Sequence, residues 1–288
     1  MGKKKKDRRT ELEKKAEELY FEMSDGTKVK VLDFNLAKKP NKYILFFIPG
    51  FITVFQSWHK AIEILSKDFR IYYFESREKP SSIMPNRKTM RRVTFEKMAH
   101  DIKEVVEQLE LDKKEYITVC SSTGGTIETI ALSNDWLSPN CAIMVGPSII
   151  YHTNFIPPLF ATIVPNFIKP IFMPGIRWYL SRKYVNKKDE PEQLEKYLRA
   201  AEEVDLRKVR KPGWQMIGYN SQHLLPKIKV NCILIGASSD KMHAAEECLE
   251  NSKLIPNAKY IDLGSNKAAH EQPLVDVIYD FIKTAETK

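Results

Sequence analysis

Tyr116-Ile-Thr-Val-Cys120-Ser121-Ser122-Thr123-Gly124-Gly125 is the stretch on which the fold turns. Its first half, apolar and β-branched, reads as a strand covered on both faces. Its second half reads as a sharp turn into a helix, with Ser122 at the tip. In a G-x-S-x-G turn the serine adopts a strained conformation that lifts its hydroxyl above the sheet, and small flanking residues keep neighbouring backbone clear. Here Cys120 stands in the first glycine slot and Gly124 in the second, while Gly125 lets the next helix pack close to the strand. The same ten residues also fit a strand that ends in an ordinary Gly-Gly turn, so the surrounding sequence has to separate the two.

On either side, strand and helix signals alternate. Lys28 to Phe34 alternates like a strand; Tyr43 to Ile48 is a continuous apolar run closed by Pro49-Gly50; Phe69 to Phe74, Ala142 to Val145, Val230 to Ile235 and Lys259 to Leu263 are further strand-like runs. Helical patterns cover Gln56 to Lys67, Gly125 to Ser133, Ala244 to Leu254 and Pro273 to Lys283, and Thr94 to Leu111 carries Phe95, Met98, Ile102, Val105, Val106 and Leu109 along one stripe. The order predicts an α/β fold: a mostly parallel central sheet with helices on both faces and reactive groups beyond the carboxyl ends of the strands. Ahead of it, Thr10 to Met23 is rich in Glu, Lys, Leu and Ala and predicts a short charged helix.

Composition sets the frame. A chain of 288 residues with 43% hydrophobic and 29% charged residues is long and apolar enough for one α/β domain with an insertion. Cys120, Cys141, Cys232 and Cys248 show no C-x-x-C spacing and the six histidines are scattered, so we expect reduced thiols, a cytoplasmic protein and no metal site. The formal charge is +9, but Lys3 to Lys6, Arg8 and Arg9, against Asp7 alone, place most of it in the first nine residues. Such a tail reads first as a solvated extension and second as an attractor of anionic lipid; nucleic acid is not the expected partner. It lacks the apolar core of a signal peptide, and Lys6 breaks the myristoylation pattern that Met1-Gly2 begins. The expected organisation is a tail and charged helix over 1–26, a core over 27–148 and 230–288, and a helical cap or lid over 149–229.

Together these residues resemble the α/β-hydrolase superfamily from about Thr27 to Ala285. Ile48-Pro49-Gly50-Phe51 is similar to the family's H-G-x turn with Pro49 in place of the histidine, and Phe69 to Arg77 is similar to the strand leading to its D-x-R-G segment, with Glu75 and Glu78 in place of Asp and Gly. The resemblance implies Ser122 as nucleophile, Asp240 as the acid after its strand and His270 as the base, in the chain order that fold uses. The backbone N–H groups of Phe51 and Thr123 would form the oxyanion hole, and no cofactor is implied. By the family's spacing Asn266 or Lys267 occupies the histidine's slot. His270 is nevertheless the one base on offer after Asp240, since His243 lies too near the acid's own loop. A protein without that base would be a pseudoenzyme that keeps its pocket; with it, hydrolysis of a small acyl or ester substrate and acyl transfer to an alcohol use the same three groups. A serine in place of an aspartate disfavours the carboxylate-nucleophile branches.

The stretch from Phe155 to Ile176 is the most apolar in the chain and carries Pro157, Pro158, Pro165, Pro170 and Pro174. The prolines predict short helices rather than a membrane span. Phe155, Leu159, Phe160, Phe167, Phe172 and Met173 either pack as an ordinary lid or line a pocket for an apolar acyl group. Trp178 and Tyr179 beside Arg177, Arg182 and Lys183 also fit peripheral contact with lipid. Lys187 to Glu203 reads as a charged surface helix.

Overall fold

The apolar runs become strands of one eight-stranded sheet in a computed structural model that describes residues 8–152, 155–183, 191–239 and 245–287. In chain order the elements are β1 (Glu17–Glu22), β2 (Lys28–Phe34), β3 (Ile44–Ile48), α1 (His59–Leu65), β4 (Ile71–Glu75), α2 (Arg87–Met90), α3 (Phe95–Gln108), β5 (Tyr116–Ser121), α4 (Thr123–Ser133) and β6 (Cys141–Val145). There follow β7 (Ile150–His152), α5 (Ile156–Ile163), α6 (Lys169–Lys183), α7 (Pro191–Glu203), α8 (Leu206–Gln215) and β8 (Ile217–Asn220), and then β9 (Cys232–Gly236), α9 (Ala245–Lys253), β10 (Ala258–Asp262) and α10 (Gln272–Glu286).

Spatial order is β1-β2-β4-β3-β5-β6-β9-β10. The first two pairings are antiparallel and the other five parallel, so the mostly parallel sheet predicted from the alternation is present. β5 lies between β3 and β6, with Ile48 opposite Cys120 and Val145 opposite Ser121. Side-chain alternation divides the core into two layers. Phe46, Phe74 and Met144 pack with Phe95, Met98, Ile102 and Ile127 of α3 and α4, while Leu45, Phe47 and Ile143 pack with Ile62, Leu65, Leu274 and Ile278 of α1 and α10. Each such side chain, fully removed from water, stabilises the fold by about 1.5–3 kcal/mol. α3 starts where it does because the Thr94 Oγ1 accepts the Lys97 N–H at 3.2 Å.

Thr10 to Met23 departs from expectation. A short 3-10 turn spans Glu13–Lys15, and Glu17–Glu22 is the edge strand β1. Leu19 and Phe21 alternate toward the core, and pairing with β2 supplies a backbone partner that an isolated, charged helix would lack. Just beyond β4, Arg77 is fully buried and forks onto both carboxylate oxygens of Asp101 in α3, with a third bond of 2.8 Å to Asp25. Partial burial is the largest single effect on Asp25 and works against its ionisation, but the Arg77 hydrogen bond, the Arg77 charge and hydrogen bonds from Thr27 together outweigh it and hold that carboxyl at about 2.

Between β6 and β9 the chain leaves the sheet for α5–α8, flanked by the antiparallel pair β7 and β8. Pro157 and Pro158 open α5, where their missing N–H groups cost nothing. Pro174, in contrast, lies inside α6 instead of ending it. It is exposed, so solvent can satisfy the carbonyl it leaves unpaired. Among the described residues no helix is long and apolar enough to cross a membrane.

Candidate functional site

Ser122 sits between β5 and α4 with φ 48° and ψ −122°, a region that costs a non-glycine residue about 1–3 kcal/mol. The surroundings impose it. Its N–H donates to Val145 O at 3.1 Å, and its carbonyl accepts from Gly125 at 2.9 Å and Ser148 at 3.0 Å. A Cβ at Gly124 would lie 2.1 Å from Ile48 O, and one at Gly125 would lie 2.5 Å from Pro147 Cβ, so both positions require glycine. α4 begins at the next residue and directs its positive dipole end at the turn. The half-buried Ser122 Oγ lies 3.1 Å from Ser148 Oγ. Behind it the Tyr151 hydroxyl lies 2.7 Å from Thr126 Oγ1 and 3.0 Å from Thr123 Oγ1, and Thr126 Oγ1 donates to Ser148 O at 2.6 Å. A network of hydroxyls thus fixes the first turn of α4.

Beneath the turn, Cys120 is wholly buried beside the equally buried Glu128. Neither carboxylate oxygen of Glu128 has a hydrogen bond of ordinary geometry, although the Cys120 thiol and Thr118 hydroxyl approach it. Burial pushes Glu128 up to about 7, with the thiol and hydroxyl pulling weakly the other way, and burial likewise pushes the Cys120 thiol well up. Cys120 is therefore an inert filler of the space a first glycine would leave, not a second nucleophile.

Across from Ser122 runs the turn after β3. A Cβ at Gly50 would meet Ser122 Cβ at 3.1 Å, and Ile52 has φ 49°. Gly50 O accepts from the Thr53 N–H at 3.2 Å and from Lys79 Nζ at 2.7 Å; Lys79 Nζ also donates to Thr53 O at 3.0 Å and pairs with Glu78 at 3.3 Å. Phe51 and Ile52 pack under Ala161 and Val164 of the α5 region and Leu206 and Val209 of α8, with Phe160 at the margin. Phe51, Ser122 and Thr123, named from sequence, are thus brought together at the carboxyl ends of β3 and β5.

His270 lies just before α10, its ring 4.5 Å from that of Trp58 and its Nδ1 2.8 Å from Asn266 O. A carbonyl can only accept, so this bond places the proton on Nδ1 and leaves Nε2 as the basic nitrogen. Asp240 and His243 lie outside the described residues. Among the described residues no cluster of His, Cys, Asp or Glu is arranged to hold a metal ion.

No protein-family profile matches the sequence, and no curated protein does. Solved structures do. The chain is similar to an enol-lactonase from Burkholderia xenovorans, at 16% identity and TM-score 0.74 over 92% of this chain and 100% of that one. A thermophilic esterase from Thermogutta terrifontis matches at 17% identity and TM-score 0.70, covering 93% and 99%, and an esterase from Exiguobacterium antarcticum at 15% and 0.72, covering 92% and 98%. The chain has the α/β-hydrolase fold.

On this α/β-hydrolase fold the six apolar residues singled out between β6 and β9 do not share one environment. Phe160 and Met173 are half-buried, Phe160 edge-on to Phe172 at 5.3 Å, whereas Phe155, Leu159, Phe172 and above all Phe167, 82% exposed, face solvent. Three polar residues at the site were not singled out from sequence. Ser148 and Tyr151 follow β6 without any motif, and Lys79, in a charged Glu78-Lys79 pair, reads as surface. A fourth, Lys208, belongs to a basic run, but it lies one helical turn before the buried Pro212 and next to the buried Val209, and that period could have placed it on the buried side.

Proposed function

We propose that the protein is a serine hydrolase that cleaves a carboxylic ester or related acyl compound with an apolar part. The observation that carries this reading is the strained backbone of Ser122, which a plain Gly-Gly turn would not need and which the two obligate glycines and three hydrogen bonds maintain. The Ser122 Oγ attacks the carbonyl carbon while its proton passes to Nε2 of His270. The oxyanion is held by the N–H groups of Phe51 and Thr123. Collapse expels the alcohol, which takes the proton from His270; water, giving its proton to the same nitrogen, then releases the acid and restores Ser122. The Asn266 carbonyl fixes the Nδ1 tautomer, and Asp240 serves as the acid that stabilises the imidazolium. Phe160 and Met173, and the more exposed Phe155, Leu159, Phe167 and Phe172, meet the apolar part. Acyl transfer follows if an alcohol takes the place of water.

A fluorophosphonate probe tests this. Labelling of the native chain that is lost in Ser122→Ala and falls by roughly 10³-fold or more in His270→Ala is expected. The rival reading, a binding protein that has lost turnover, is favoured by Cys120 in the first glycine slot and by the altered spacing of His270 in the sequence. Silence of the native protein toward the probe, with retained binding of a short-chain ester, would establish that rival.

We place the protein in the cytoplasm, at an anionic lipid surface. All four cysteines are free thiols. Ile171 and Trp178 are 75% and 60% exposed on α6, Arg182 stacks on Trp178 at 5.2 Å, and Arg8, where the basic tail enters the described structure, pairs with Glu202 of α7. Co-sedimentation with anionic vesicles that weakens with salt is expected; none at low ionic strength would refute it.

A further inference from the structure

The turn that carries the Phe51 N–H is poorly held by packing on its far side. A cavity of about 470 Å³ opens there, lined by Ile52, Val54, Phe55, Lys79 and Arg199 among others. What holds the turn is a lysine. Lys79, 4% exposed, places its ammonium on the Gly50 and Thr53 carbonyls. The Gly50–Phe51 peptide is trans, so its C=O and N–H point in opposite directions. A cation fixed on the Gly50 carbonyl therefore turns the Phe51 N–H away from Lys79. Charge-assisted bonds of this kind are about twice as strong as neutral ones.

Lys79 is held in turn from the inserted segment. Lys208 of α8, 5% exposed, sends its ammonium to Lys79 O at 2.9 Å, Pro80 O at 3.2 Å, Ser82 O at 2.6 Å and Ser82 Oγ at 2.9 Å. Four oxygens around one buried cation close the 79–82 turn, and Ser82 Oγ ties it to Arg77 O at 2.6 Å. From the other side α8 presents Leu206 and Val209 to Phe51 and Ile52. α8 thus grips the Gly50–Thr53 turn twice, once by apolar contact and once through two lysines in series.

We propose that Lys79 and Lys208 act as positioning residues, a strut through which the seating of α8 on the sheet domain sets the direction of the Phe51 N–H. Its catalytic meaning rests on the hydrolase reading; its mechanical meaning does not. With α8 seated, the donor is aimed; with α8 lifted, the 79–82 turn loses its cation, Lys79 loses its anchor and the donor swings freely.

Hydrogen exchange on the full-length chain tests the mechanical claim without any substrate. In Lys208→Met, whose side chain reaches only the 79–82 turn, exchange across residues 49–54 should rise by roughly 10-fold, and in Lys79→Met by at least as much, while β5 and β6 stay as protected as in the native protein. Lys211→Met, on the exposed side of α8, should leave all of these unchanged. Unaltered exchange over 49–54 in both variants overturns the strut. Should Lys79→Met fail to fold, Lys208→Met decides alone. Hydrolysis of p-nitrophenyl butyrate supplies the second reading: kcat should fall by roughly 10²-fold in Lys79→Met and 10-fold in Lys208→Met, with KM changed by less than about 3-fold. A loosened turn with unchanged kcat overturns the positioning role. A loosened turn in a protein that neither labels nor hydrolyses keeps the strut and removes the hydrolase.

Discussion

The strands beneath Ser122 and the helices above it are built by opposite rules. Below, β3, β5 and β6 are covered on both faces, Gly124 and Gly125 at the start of α4 have no room for a Cβ, and the neighbouring charges of Arg77, Asp101 and Glu128 are dry. Above, α5–α8 hold together through two small apolar clusters and leave Phe155, Ile163, Phe167, Ile171 and Trp178 in solvent. One region fixes a single atom's position; the other presents surface. Substitutions should therefore be costly below and cheap above, and the size of that gap is measurable.

Gly124→Ala should have the largest effect. Its new Cβ would sit 2.1 Å from a strand carbonyl that cannot move without breaking the β3–β5 ladder. We expect a loss of more than about 4 kcal/mol in urea unfolding, or no folded protein. A loss under about 1 kcal/mol would mean that the turn is pliable and that the strain at Ser122 is not imposed by its surroundings. Next comes Arg77→Met, which strands the Asp101 carboxylate in a dry site and should cost about 3–5 kcal/mol. Adding Asp101→Leu should restore much of it, because it removes the one fully buried carboxylate left behind, while Asp25 and Lys97, which also lose a partner, are part-exposed to water. Failure of that rescue would show that Asp25 or the shape of the site dominates.

Glu128 adds a pH dependence to the lower region. Its folded carboxyl titrates at about 7, above the ordinary value of about 4.5, so the folded state prefers the neutral acid. Stability from that preference is fully present below about 4.5 and is lost as pH rises through about 7, to a total of roughly 3 kcal/mol. Glu128→Gln cannot ionise. Thermal unfolding of native and variant proteins from pH 5 to 8 should show the native Tm falling relative to the variant, and parallel curves would mean the carboxylate finds a partner on ionising.

The same division explains what the sequence disclosed. The Tyr116–Gly125 stretch, the Pro49-Gly50 turn and the continuous apolar runs were legible because a dry, doubly covered strand leaves few residue choices, and the mostly parallel character of the sheet followed from their alternation with helices. Glu17–Glu22 was not legible as a strand, since its fate depends on β2, which no local pattern reveals. Ser148, Lys79 and Lys208 escaped for a related reason: each acquires its role from a partner 26 to 129 residues away. Phe155, Leu159, Phe160, Phe167, Phe172 and Met173 form an apolar set in the sequence, yet hydrophobicity alone could not tell a pocket wall from an exposed face, and the set divides between half-buried and exposed positions.

The smallest effects should come from that exposed face. Phe167→Ser and Ile171→Ser remove apolar groups that are already in water, so there is little burial to lose. Each should shift unfolding by less than about 0.5 kcal/mol, whether measured by urea or heat. The pair nonetheless separates two accounts of the helices. If α6 closes onto the sheet domain in solution, these side chains are partly covered in the working state and the substitutions should cost 1 kcal/mol or more, about what part of a buried aromatic is worth. If α6 stays open and its face meets lipid, stability is unchanged while affinity for anionic vesicles falls by roughly 10-fold, the loss of about 1.4 kcal/mol of apolar contact with the bilayer.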